Sequence, residues 1–112
     1  MSETEAPPWF PVFVQFEAER LYQIDKWGDQ RGHRLDGTGD KYDLRAADEF
    51  KRQNDARETA GKPGIWRKIL LEEVFEAMAE PTGEKLFHEL KQSGAVITAW
   101  MEDLIFRGVV AL

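Results

Sequence analysis

Glu72, Glu73 and Glu76 crowd one turn of chain, and Glu89 and Gln92 follow after a short break at Pro81-Thr82-Gly83. On a helix, Glu72, Glu73 and Glu76 project into one sector, while Leu70, Leu71, Val74, Ala77 and Met78 fill the far side. Ile65 and Ile69 point the same way as Glu73 and Glu76, so this helix is apolar nearly all round and its glutamates belong in a partly buried cleft. Carboxylates placed there need basic partners or a divalent cation, because unpaired charge away from water is costly. Oxygen donors alone suit Mg²⁺, with Mn²⁺ as the other candidate, better than zinc. The competing account is that these are solvated glutamates on ordinary amphipathic helices. Glu72 fits that account best, or else orients a neighbouring ligand.

Two helices must position these groups. The first runs from 64 or 65 to Ala79 and stops because Pro81 disfavours helical geometry in the residue before it. The second is expected to be capped by Thr82, to carry Glu84 in its first turn, and to continue to Phe106. Glu89, Gln92, Val96 and Trp100 form one stripe on it. Packed antiparallel across the short connection, the two helices bring Glu73, Glu76 and Glu89 to one place.

The segment Leu71-Glu72-Glu73-Val74-Phe75-Glu76-Ala77, followed by Phe87-His88-Glu89-Leu90-Lys91-Gln92, resembles the EExxE…ExxD signature of MazG-like nucleoside triphosphate pyrophosphohydrolases, the all-α NTP pyrophosphatase superfamily. Lys26-Trp27-Gly28-Asp29-Gln30, Trp66 with Ile69-Leu70, and Ala99-Trp100-Met101-Glu102 are similar to small members of that family, so the resemblance covers residues 13 to 107. It implies an all-α, four-helix MazG-like bundle, dimeric or a dimer of dimers, that hydrolyses a nucleoside triphosphate to a monophosphate and pyrophosphate. Glu73, Glu76 and Glu89 would hold Mg²⁺, and Glu72 would join them in catalysis by orienting a water or a ligand. Trp27 would stack on the base, with Lys26 or Gln30 contacting polar groups. Gln92 stands where the family has an aspartate. An amide oxygen can join a metal shell but brings no charge, so the alternative is a catalytically weak MazG-like module that binds a nucleotide or metal as a sensor or recruiting device.

Upstream, Phe13, Phe16, Leu21, Ile24 and Trp27 share a broad face over residues 12–27, opposite Gln15, Glu19, Tyr22 and Lys26, and Gly28 can stop this helix. Trp27 is a core aromatic on the spacing alone. Residues 1–11, with Pro7, Pro8 and Pro11, read as a flexible tail whose Trp9-Phe10 pair should pack on the body or on a partner chain; residues 12–112 read as a single domain. Arg31 to Lys41 is a glycine-rich mobile loop, and its Gly-Thr-Gly lacks the spacing and lysine of a phosphate loop. Residues 42–60 form a further helix on which Ala46, Phe50, Gln53, Arg57 and Ala60 align; Arg45, Lys51, Arg52 and Arg57 are its candidates for reaching phosphate.

Composition limits the remaining possibilities. The formal net charge of -6 argues against a nucleic-acid-binding surface, and the absence of cysteine excludes disulfides, thiol catalysis and thiolate metal sites. No apolar run reaches the roughly 20 residues needed to span a bilayer, and the N-terminal stretch lacks a basic start and apolar core, so a cytoplasmic protein is expected. The last helix has two apolar sectors, Leu86, Leu90, Ile97, Met101 and Leu104 beside the Glu89 face and Ala95, Ala99 and Phe106 on another flank. This exceeds the needs of one core and suggests a homodimer.

Overall fold

The computed structural model describes residues 5–112 and contains four α-helices with no strand among the described residues. They are α1 (Phe10–Trp27), α2 (Lys41–Thr59), α3 (Trp66–Ala79) and α4 (Glu84–Phe106). The chain divides into two compact units, Met1–Leu35 with Thr98–Leu112, and Asp36–Ile97. No helix among the described residues is long and apolar enough to cross a membrane.

In the first unit, α1 starts two residues earlier than the apolar pattern suggests, because proline in its first turn needs no hydrogen-bond donor there. Part of the expected tail is therefore helix, with the Trp9 and Phe13 rings 5.0 Å apart; the first four residues of that tail lie outside the described ones. Gly28 ends α1 at a φ of 71°, donating its N–H to the Ile24 carbonyl. The expected inward face of α1 is wet. Phe13, Leu21, Ile24 and Trp27 are exposed and Phe16 is half-buried, whereas Val12 is fully buried. Helical periodicity identifies an apolar stripe but does not say what covers it.

In the second unit, α2 and α3 pack against each other with the Phe50 and Phe75 rings stacked at 5.8 Å. Asp40 caps α2 by accepting from the Tyr42 N–H, and Ala47 and Ala77 let the two backbones approach. Along α2, Ala46, Phe50, Gln53 and Arg57 of the expected face are part-buried while Ala60, past the helix end, is exposed; buried Ala47 and part-buried Asn54 join them. Nearly all of α3 is half-buried, as its all-round apolar pattern requires.

Two local expectations fail here. Thr82 does not cap α4; its hydroxyl donates to Asp36 Oδ2 at 2.6 Å. The loop before α2 is anchored over its second half, where the Gly39 N–H donates to the Met78 carbonyl and the Thr38 hydroxyl to the Pro81 carbonyl. Gly39 is required at that junction, since its φ is 101° and a Cβ there would meet Pro81 Cα at 3.2 Å. These bonds tie the loop before α2 to the end of α3 and to the α3–α4 turn. On α4, the buried line runs through Leu86 and Ser93, while Leu90 and Ile97 of the expected stripe are exposed.

Candidate metal centre

The helical spacing of Glu72, Glu73 and Glu76 places a carboxylate oxygen of each within 4.8 Å of the others, all on half-buried stretches of α3. Glu89 of α4 lies close enough to raise the carboxyls of Glu73 and Glu76. The four glutamates expected from the sequence therefore lie in one unit, the tight group being the three on α3. Gln92, one turn beyond Glu89, is half-buried on α4. Ser93 donates its hydroxyl to the Glu89 carbonyl at 3.0 Å, which occupies a buried hydroxyl beside the cluster without introducing another charge.

The electrostatics are those of crowded acids. Burial, then Glu73, Glu72 and Glu89, and finally the hydrogen bond with Glu89 push the Glu76 carboxyl up to about 7. Burial, with Glu72 and Glu89 behind it, also raises Glu73 above the usual carboxylate range. Glu73 Oε2 and Glu89 Oε2 are buried with no hydrogen-bond partner. Orphaned anionic oxygens are costly, and a hard divalent cation among them satisfies both atoms and removes the mutual repulsion. The three carboxylates of α3 could hold a hard divalent cation.

Helix α2 contributes two groups to this region. Asn54 Nδ2 donates to Glu72 Oε1 at 2.9 Å and to the Lys68 carbonyl at 3.2 Å, a cross-helix link that glutamate spacing does not reveal. The only signal in the sequence is an amide in line with Phe50, Gln53 and Arg57 on an otherwise thin face. Lys51 lies three residues before Asn54, on the same side of α2. Asp55, at 3.3 Å, and beyond it Glu72 and Glu76 raise its ammonium above the usual range. The other basic residues of α2 are engaged elsewhere: Lys41 and Arg45 over the Tyr42 ring, Arg52 with Glu49, and Arg57 with the Pro63 carbonyl.

Lys26, Trp27 and Gln30 belong to the other compact unit. Trp27 is 53% exposed, which overturns its reading as a core aromatic, and Lys26 Nζ lies 5.0 Å over its ring. Gln30 Oε1 accepts from Arg34 Nε at 2.8 Å. Arg20, Ile24, Asp29, Gln30 and Arg31 line an open pocket in this unit, with Arg31 held by Asp29.

Comparison with protein-family models, with curated proteins and with solved structures gave no match.

Proposed function

We propose that this chain is a Mg²⁺-dependent nucleoside triphosphate pyrophosphohydrolase of the MazG-like kind. The observation that carries the reading is the clustering of Glu72, Glu73 and Glu76, with Glu89 of α4 near enough to raise Glu73 and Glu76 and with Glu73 Oε2 and Glu89 Oε2 buried and unpartnered. Glu73, Glu76 and Glu89 hold the cation, with the Gln92 amide one turn further along α4 as a neutral donor. When bound, the cation neutralises phosphate charge and acidifies a water. Glu72 accepts the proton of the attacking water. The water oxygen bonds to phosphorus as the bond between the α and β phosphates breaks, and pyrophosphate leaves with that bond's electron pair. Lys51 is the α2 cation placed to meet the polyphosphate, because Asp55 holds it only by an exposed pair.

The same proposal includes a homodimer. Phe10, Phe13, Val14, Leu21 and Ile24 are exposed along one side of α1, interrupted by Glu17, and apolar side chains exposed together in this way are typical of a contact surface.

A screen of ribo- and deoxyribonucleoside triphosphates with Mg²⁺ or Mn²⁺, read by pyrophosphate release, tests the activity. Stoichiometric monophosphate and pyrophosphate are expected from at least one substrate. Metal and nucleotide binding without release would instead establish the sensor alternative that Gln92 motivates, and release of inorganic phosphate alone would overturn the bond assignment.

A further inference from the structure

Asn54 is oriented by chemistry. Its Nδ2 donates to both Glu72 Oε1 and the Lys68 carbonyl, and turning the amide over would set Oδ1 against two acceptors. In the orientation it must take, Oδ1 is buried with no partner. An unpartnered buried amide oxygen burdens the fold, and an apolar side chain of similar size would avoid that burden. A residue that costs stability at an α2–α3 contact, and whose other atom grips a carboxylate of the cluster, has its explanation at that carboxylate.

We infer that Asn54 is a positioning residue that pins Oε1 of Glu72 and leaves its other oxygen to accept the proton of the attacking water. This inference rests on the pyrophosphohydrolase reading for the proton-transfer step, but not for the positioning itself. A freely rotating glutamate at the end of two methylenes would populate several rotamers, and the amide selects one of them. Glu72 then acts with one oxygen and leaves the metal to Glu73, Glu76 and Glu89.

The test combines Asn54→Leu, Glu72→Gln and the double variant, each measured for thermal stability, Mn²⁺ affinity by calorimetry, and turnover. Asn54→Leu should melt at or above the parent temperature, keep Mn²⁺ affinity within about threefold, and lose at least about tenfold in kcat with little change in KM. The double variant should be no slower than the slower single variant, because both changes remove the same function. Parental kcat in Asn54→Leu, or losses that multiply in the double variant, would overturn the inference. So would a Mn²⁺ affinity that falls as far as kcat, since Glu72 would then be a ligand.

A binding arm needs no turnover. In the parent, the Asn54 side-chain NH₂ resonances should shift on titration with Mg²⁺, and in Glu72→Ala they should not respond. An Asn54 amide that ignores Mg²⁺ in the parent overturns the positioning role. A parent that releases no pyrophosphate ends the pyrophosphohydrolase reading, while the amide response still decides whether Asn54 holds Glu72.

Discussion

The carboxyl of Glu76 on α3 lies among Glu73 and Glu72 of its own helix and Glu89 of α4, and burial with this crowding pushes it up to about 7. Glu76 therefore retains its proton at pH values where isolated glutamates have lost theirs.

The first prediction is a pH dependence of stability. A carboxyl whose pKa is raised on folding, here from 4.5 to about 7 at Glu76, stabilises the fold below the lower value. That contribution disappears as pH rises through the upper one. Without divalent cation, stability should therefore fall between pH 5 and 8, by about 1–2 kcal/mol once solvent screening is allowed for. Glu76→Gln should flatten this dependence and raise the melting temperature near pH 8. Thermal unfolding at stepped pH in a chelator checks both; a flat parental profile would mean that Glu76 is not raised on folding.

Metal binding should reverse the trend. Because the cation displaces the proton of Glu76, Mn²⁺ affinity should increase from pH 5.5 to 7.5 and level off above it. At a hundredfold excess over its dissociation constant, the cation adds about 2.7 kcal/mol of stability. Glu73→Gln, Glu76→Gln and Glu89→Gln should each weaken binding by at least about tenfold while leaving the helical circular dichroism unchanged. Unchanged calorimetric affinity in all three would end the metal reading.

Trp27 provides a third test. At 53% exposure it contributes little to the core, so Trp27→Phe should alter stability by less than about 1 kcal/mol. If the base contact implied by the family resemblance holds, the same variant loses nucleotide affinity and the fluorescence response to nucleotide, but keeps its Mn²⁺ affinity. A melting temperature lowered by ten degrees would restore the core reading.

The apolar stripe of α1 makes a fourth. Leu21→Glu with Ile24→Glu should convert a dimer to a monomer in analytical ultracentrifugation, with little change in helix content, because both side chains are exposed in the single chain. A monomeric parent would contradict the homodimer.

The helices and the carboxylate cluster were legible because they are local. Glu72, Glu73 and Glu76 share a face through helix geometry alone, and the Pro81-Thr82-Gly83 break almost forces Glu89 back toward them. The exposure of α1 was not legible, because periodicity gives a face and not its neighbour. Asn54 and the Asp36–Thr82 and Gly39–Met78 bonds were also hidden, since each joins segments far apart in sequence and none leaves a periodic trace. Thr82 shows the same limit in reverse, as a good capping residue captured by a tertiary partner.

Gln92 carries the last prediction, because it is where the chain departs from the family signature. It lies one turn after Glu89 and is half-buried, so an added carboxylate there stands near a cluster in which Glu76 is already pushed up to about 7. If the metal shell is short of one charge, Gln92→Asp should tighten Mg²⁺ or Mn²⁺ binding by about tenfold and increase pyrophosphate release, with aspartate's shorter reach limiting the gain. The same change should lower stability in chelator near pH 8, where a further anion adds repulsion, and cation should restore it. Tighter metal binding together with lower chelator stability is the expected pair of results. A Gln92→Asp protein matching the parent in metal affinity, turnover and pH profile would place Gln92 outside the cluster and leave Glu73, Glu76 and Glu89 as the whole ligand set.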